Sequence, residues 1–435
     1  MNNTRHSKSL TKAKFLVAAV VTLATSSLFC QPQEFSISSH QVGALQKSFA
    51  EITLQFSNKS RECFKANSHL THSSSMKLAE RLYSSVKSGT RLVIAVMGDS
   101  VATGCCSTVG FAEHLAKYAQ QWNTSVEVRN YAEGATGPSY TRFCNGVSGD
   151  EDIIIYLGVR SLTEAHDLRL FIQSLTCRLD AAVIVFHWLP REYTSTNVST
   201  LLQMVDTYSV AFLNPYNCLR EQAAPFAIDT IYADEVHPND IGHKYIAEQL
   251  MELLREAVAI GSEDTRISPM RMLSTQQMSA CKTSTNDLSE CYSPKCCSTN
   301  PYTKCLRARS ASFQLKIMAQ NGNMEKRKVW WEGNNPGDTI ELFLENCTRI
   351  LAYVNTGRVK FGQIDVFVDD VYTGFQSAHR VWHWLPTHRS LPVIIELVSK
   401  LPAMHHVVKL RIRNETDAED FGHKFDLIAI ATSML

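Results

Sequence analysis

Neither sign of charge prevails in this chain: 43 Lys and Arg stand against 42 Asp and Glu, a net +1 over 435 residues. That excludes the domain-wide basic excess that holds nucleic acid phosphates. There is no His-Glu-x-x-His, no P-loop and no Gly-x-Gly-x-x-Gly fingerprint, so no metal, nucleotide or other cofactor is expected. Beyond the N-terminus no apolar run is long enough to span a bilayer. A disordered or collagen-like chain is excluded by 44% hydrophobic and 20% charged residues, which supply ample core. At roughly 100–200 residues per domain, the length points to two or three domains.

Cysteine, by contrast, is plentiful, with 13 residues, a number that raises the question of compartment. Arg5, Lys8, Lys12 and Lys14 precede an apolar stretch over residues 15–29 broken only by Thr22, Thr25, Ser26 and Ser27. A basic segment followed by an apolar one is the mark of entry into the secretory pathway. The stretch suits a cleaved signal peptide or a retained signal-anchor, and the basic flank of an anchor would stay cytosolic. The expected location is the ER or Golgi lumen, as a single-pass membrane protein, or outside the cell. Sequons at Asn58, Asn123, Asn197, Asn346 and Asn414 agree with a glycoprotein. Cys281, Cys291, Cys296, Cys297 and Cys305 crowd one Ser/Thr/Asn/Pro-rich segment without the Cys-x2-Cys spacing of zinc modules. A disulfide-stapled connector is the expectation there.

From these shifts we expect a signal peptide or anchor over 1–30, a stalk over 31–75, an α/β domain over 76–260, the Cys-rich connector over 261–310 and a β domain over 311–435. In the α/β region, strand-like apolar runs at 91–97, 126–130, 153–157 and 181–186, with a strand or strand-to-loop at 226–232, alternate with helical patterns at 76–88, 109–122, 162–175 and 240–257. Strands that are nearly continuous apolar runs imply a parallel sheet covered on both faces. The last region reads as short alternating runs (SFQLKIM, KRKVWW, DTIELFLE, RILAYV, QIDVFVDD, VIIELV, VVKLRIR, KFDLIAI) separated by turns. That predicts an all-β sandwich or jelly roll of about eight to nine strands.

Two motifs carry the chemistry. Gly98-Asp99-Ser100 closes the first strand of the α/β domain, and Asp234-Glu235-Val236-His237-Pro238 follows the last. Functional groups of open parallel sheets gather at the carboxyl ends of strands. Serine becomes a nucleophile when a base accepts its proton, and that base is normally a histidine whose tautomer a carboxylate fixes. Asp234 and His237, three residues apart, suit the second half of such a relay.

With these motifs in these places, the chain resembles the SGNH/GDSL hydrolases, a family of esterases, lipases and carbohydrate deacetylases. The resemblance spans about residues 90–250 and implies a three-layer α/β/α, flavodoxin-like fold. It implies Ser100 as nucleophile, His237 as base and Asp234 as its partner in the block DEVHPNDIGH. It also implies an oxyanion hole built from the Ser100 N–H, a glycine N–H in NYAEGATG and an Asn in a third block. Gly134 and Gly137 compete for the glycine role, with Gly134 preferred. In the third block, IIIYLGVRSL, Arg160 stands where the family has Asn. Arg160 either replaces that donor, binds an anionic group of the substrate, or marks a weakened member; removing one such donor typically costs about 10²–10³ in turnover.

Other residues near these blocks have plainer readings. Asp99 is expected to fix the turn around Ser100, His187 and Trp188 to wall the cleft, and Asp240, Gly242 and His243 to start the last helix. At Cys105 and Cys106 a structural disulfide is expected ahead of a second nucleophile, and Trp330, Trp331, Trp382 and Trp384 are expected to pack the β domain's core ahead of forming a sugar-stacking platform. The expected enzyme is a serine esterase of the secretory pathway acting on a small ester or acylated glycan, with O-acetyl groups favoured. An O-acyltransferase, a lipid acylhydrolase and a catalytically inactive glycan-binding protein remain as alternatives. No nucleic acid partner is expected, and membrane contact only through the N-terminal segment. No oligomeric state follows from the pattern.

Overall fold

The computed structural model describes residues 68–88, 91–119, 125–134, 136–144, 146–158, 164–179, 181–188, 190–191, 198–214, 229–263, 288–293, 304–310, 312–320, 323–379, 391–418 and 420–434. The expected leader, most of the stalk, Arg160, Trp382, Trp384, Cys281, Cys296 and Cys297 lie outside these residues. So do Asn58, Asn123 and Asn197, whereas Asn346 and Asn414 are both exposed. Among the described residues no helix is long and apolar enough to cross a membrane.

Strands β1 (Ser68–His69), β2 (Leu92–Gly98), β3 (Val126–Asn130), β4 (Ile153–Gly158), β5 (Ala182–His187) and β6 (Ala211–Leu213) form one sheet in the order β1-β6-β5-β4-β2-β3. All pairs are parallel except the edge pair β1–β6. The helices are α1 (His72–Ser88), α2 (Phe111–Ala119), α3 (Pro138–Phe143), α4 (Ala165–Arg178), α5 (Ser199–Tyr208) and α6 (Asp240–Glu263). Every residue of β2, β4 and β5 is buried, because each strand has helices on both sides. Ala95, Met97, Ile154, Tyr156, Val183 and Val185 pack against Leu168, Phe171, Ile172 and Leu175 of α4 and Leu201, Met204 and Val205 of α5. Strand alternation turns Ile94, Val96, Ile155, Leu157, Ile184 and Phe186 to the opposite side, where α6 lies along α1 and α2. Each such aliphatic side chain contributes about 1.5–3 kcal/mol by leaving water, which is why these runs read so clearly. The sheet takes in Ser68–His69, and α1 begins at His72, ahead of the residue-76 start expected for the domain.

The stretch 226–232, read as strand or strand-to-loop, is no strand over its described residues. Residues 229–231 are helical and Tyr232 makes only an isolated bridge to Pro238; residues 226–228 lie outside the described set. Ile231 and Tyr232 are apolar because they are buried, and burial without alternation does not distinguish a strand from a packed loop.

The β domain is a sandwich with twelve described strands. β7 (Leu288–Ser293), β8 (Lys304–Cys305), β10 (Gln314–Gln320), β11 (Asn323–Gly333), β13 (Arg349–Thr356), β16 (Leu391–Val398) and β18 (Phe425–Met434) form one sheet. β9 (Arg307–Ser310), β12 (Thr339–Cys347), β14 (Gln363–Val368), β15 (Val371–Ser377) and β17 (Met404–Ile412) form the other. All eight expected runs are strands; β7, β8 and β9 come from the segment expected as a connector, and β7 pairs with β18. Trp331 packs against the sandwich core, as expected, and Trp330 is half-buried. Cys144 and Cys177 each take part in a disulfide.

Most sandwich strands bury one face, but β13 buries nearly every residue. Ile350, Ala352 and Val354 face the sandwich core, whereas Tyr353 and Leu351 face helix α3 of the α/β domain. There the Tyr140 and Tyr353 rings lie 4.7 Å apart, with Ala429 beside them, and Phe143 packs on Leu351 and Ala431.

Candidate active site

β2 ends where only glycine fits. Gly98 has φ +136°, and a Cβ there would stand 1.7 Å from the Leu157 carbonyl oxygen of β4. The chain leaves the sheet at that point, and β2 lies between β3, which follows it, and β4, which lies on its other side. That is the switch point at which open α/β sheets place their ligands. Asp99 is buried, and its Oδ1 accepts the Val101 N–H at 2.9 Å. The main-chain oxygens of Asp99 and Ser100 accept the N–H groups of Thr103 and Cys105, both at 3.1 Å. Ser100 is thereby held at the head of a tight turn with its side chain partly exposed. Asp99 serves the turn, as expected.

His237 arrives from the other end of the domain. Ser100 Oγ and His237 Nε2 are 2.8 Å apart, and His237 Nδ1 is 2.8 Å from Asp234 Oδ2. Asp234 Oδ1 accepts the N–H groups of Val236 at 2.8 Å and His237 at 2.7 Å, an Asx turn that clamps the carboxylate to the imidazole's own backbone. Burial opposes the Asp234 charge, yet hydrogen bonds from His237 and the backbone hold its carboxyl down at about 2. For His237, burial disfavours the charged ring but is outweighed by the hydrogen bond to Asp234 and by the electrostatic influence of Cys105, Asp234 and Asp99. Its pKa therefore stands above the ordinary 6.5.

Three supports of this loop go beyond the roles read from the sequence. Asn239 Oδ1 accepts the N–H groups of Ile241 and Gly242 at 3.0 and 3.1 Å, capping α6 two residues after His237. An Asn just ahead of an acidic helix start is a legible cap signal. Trp188, expected as a wall, donates its indole N–H to the Val236 carbonyl at 3.2 Å and packs its ring 5.2 Å from Tyr232. Asp240 opens α6 as expected, and its carboxylate also accepts the Thr108 N–H at 2.6 Å and hydroxyl at 2.8 Å. No linear motif announces those last two contacts. His187 is fully buried and pushed down to about 4 by burial. His243 is also buried, sits at about 4 for the same reason, and pairs through Nε2 with the Cys105 carbonyl at 3.3 Å.

The two competing glycines part company. Glu133, beside Gly134, donates its N–H to the Gly98 carbonyl at 3.1 Å, which brings Gly134's loop to the end of β2. Gly137 caps α3; a Cβ there would meet the Glu164 carboxylate at 2.6 Å, so this glycine answers to helix packing. The structural disulfide expected at Cys105 and Cys106 is corrected by the structure. Both are thiols with sulphurs 3.1 Å apart, beyond the bonded distance of about 2.05 Å.

No family model and no curated protein matches the sequence. Among solved structures, the chain is similar to a two-domain esterase active on acetylated mannans, in a crystal form with mannopentaose. The TM-score is 0.57 at 16% identity, covering 85% of this chain and 96% of that one. A second structure of that esterase gives the same TM-score over 82% and 95%. A protein from Parabacteroides merdae described as a GDSL-like lipase matches 38% of this chain and 96% of its own, at 14% identity and a TM-score of 0.29. At such identities the first of these likenesses establishes the fold: an α/β domain with parallel sheet joined to an all-β domain.

Proposed function

We propose that this chain is an SGNH/GDSL-type serine esterase that removes acetyl groups from glycans in the secretory pathway. One observation carries the reading: a continuous hydrogen-bonded relay, Ser100 Oγ to His237 Nε2 and His237 Nδ1 to Asp234 Oδ2, both at 2.8 Å, at the carboxyl edge of the sheet. In the reaction, His237 accepts the Ser100 proton as Oγ attacks the ester carbonyl. Asp234 keeps the ring proton on Nδ1, leaving Nε2 as the acceptor. The tetrahedral oxyanion is met by the Ser100 N–H and, in this reading, by the Gly134 N–H. His237 then protonates the departing alcohol, and water, deprotonated by the same ring, releases the acyl group. Arg160 follows Gly158 of β4 by two positions in sequence and stands as the candidate third donor. The fold shared with an esterase acting on acetylated mannans favours small acyl groups on glycans as substrate.

The test is hydrolysis of p-nitrophenyl acetate and release of acetate from acetylated mannan, together with labelling by a fluorophosphonate probe. Turnover and labelling are expected in the wild type. Ser100→Ala is expected to lose labelling and about 10⁴-fold or more in turnover. Equal turnover by the two proteins would overturn the proposal, and a preference for long acyl chains would redirect it to a lipid acylhydrolase. Arg160→Asn tests the third block: reduced turnover is expected if Arg160 donates to the oxyanion, and increased turnover removes it from that role.

A further inference from the structure

Adjacent residues ordinarily send their side chains apart, but Cys106 has φ +66°. A residue with a Cβ adopts that left-handed conformation at a cost of order 1 kcal/mol. The result is that Cys105 and Cys106 present both sulphurs to one spot, 3.1 Å from each other, and both side chains are partly exposed. His237 faces the same spot. One ligand atom from each of Cys105, Cys106 and His237 lies within 4.8 Å of the other two.

We propose that Cys105 Sγ, Cys106 Sγ and His237 Nε2 bind a thiophilic divalent cation of the zinc type, and that its binding switches off the hydrolytic centre. Tetrahedral zinc with Zn–S near 2.3 Å and Zn–N near 2.0 Å requires ligand atoms about 3.5–3.8 Å apart. The sulphurs, 3.1 Å apart, need separate by only about 0.7 Å to reach it. Two thiols and one imidazole leave the fourth position open. Binding releases two thiol protons to solvent, so a divalent ion and two thiolates give a neutral site. The switch follows from a single lone pair. Nε2 either accepts the Ser100 proton, in the 2.8 Å hydrogen bond observed here, or ligates the ion. An occupied site therefore has no base for Ser100. The binding stands on the geometry of the three side chains, whereas the inhibition rests on the esterase reading above.

The experiment uses the full chain with its thiols reduced and chelator removed. Co²⁺ serves as the spectroscopic probe and Zn²⁺ as the inhibitor of p-nitrophenyl acetate hydrolysis. Thiolate-to-cobalt charge-transfer absorption with the visible bands of tetrahedral Co²⁺ is expected in the wild type. Both should be absent from the Cys105→Ser/Cys106→Ser double variant, and the tetrahedral bands should be lost in His237→Ala. Saturating Zn²⁺ is expected to lower wild-type turnover by about 10²-fold or more, the contribution of a general base, with recovery on adding EDTA. The ratio of turnover with and without Zn²⁺ should stay near one in the double variant. If that variant fails to fold, protection of Cys105 and Cys106 from alkylation by Zn²⁺ in the wild type, mapped by peptide mass, gives the same answer. No charge-transfer absorption in the wild type, or absorption that persists in the folded double variant, overturns the site. Cysteine-dependent absorption with undiminished turnover overturns the switch. Cysteine-dependent absorption in a protein without any esterase activity overturns the esterase reading and leaves the metal site standing.

Discussion

Replacing Asp234 by Asn changes one atom and poses a choice that the local geometry decides. In the native turn Oδ1 accepts two backbone N–H groups, those of Val236 and His237, while Oδ2 faces the imidazole Nδ1. An amide has a single acceptor oxygen. Turning it toward the ring would set its NH₂ against two backbone donors and forfeit two hydrogen bonds, at about 1 kcal/mol each. The oxygen therefore stays with the backbone and the NH₂ faces Nδ1. That nitrogen must then accept, the ring proton moves to Nε2, and the ring donates toward Ser100 when it should accept. In a serine protease the equivalent tautomer error lowers turnover by about 10⁴, equivalent to about 5 kcal/mol. We expect a fall of that order in kcat/KM for p-nitrophenyl acetate, with KM little changed. The melting temperature should hardly move, since the backbone hydrogen bonds survive. A loss smaller than about tenfold would show that Asp234 does not orient the base, and the tautomer argument would fail with it.

The remaining predictions address the ring, the strand end and the domain contact. Hydrolysis needs neutral His237, whose pKa is raised above 6.5, so in the presence of a chelator the rate should climb with pH through a midpoint above that value. Asp234→Asn should shift the midpoint to lower pH, and a flat profile across that range contradicts the assignment. Gly98→Ala drives a methyl into the Leu157 carbonyl from a backbone that disfavours any side chain. It should cost about 3 kcal/mol or more, seen as a large drop in melting temperature or loss of soluble protein. Tyr353→Ala removes the ring lying 4.7 Å from that of Tyr140 and should destabilise by about 3 kcal/mol or more, measured by denaturant unfolding.

The parallel strands were legible because burial on both faces demands unbroken apolar runs, and residues 92–97, 153–157 and 182–186 have them. The hydrogen-bonded pair Ser100 and His237 could be picked out because each residue sits in a short linear block. What joins those blocks was not. The hold of Asp240 on Thr108 and of Trp188 on Val236 spans 132 and 48 residues, and no local pattern encodes a partner that far away. The ambiguity at residues 226–232 has a related source, for Ile231 and Tyr232 are apolar because they are buried. In the β domain, RILAYV was read as one more alternating strand. Its run of consecutive apolar residues was the sign that the far face of β13 is covered as well, by α3. The tilt of the Cys106 backbone leaves no mark on the sequence at all.

The close seating of α3 on β13 and β18 bears on how such a protein is assembled and handled. The loop carrying Gly134 runs directly into α3, so the helix that follows this loop is itself braced by the second domain. Severing the two halves would strip Tyr140 and Phe143 on one side and Leu351, Tyr353, Ala429 and Ala431 on the other. Each half would then carry a bare greasy patch prone to self-association. The β domain is thus a foundation for α3 and the loop that leads into it, and a detachable tether is a poor description of it.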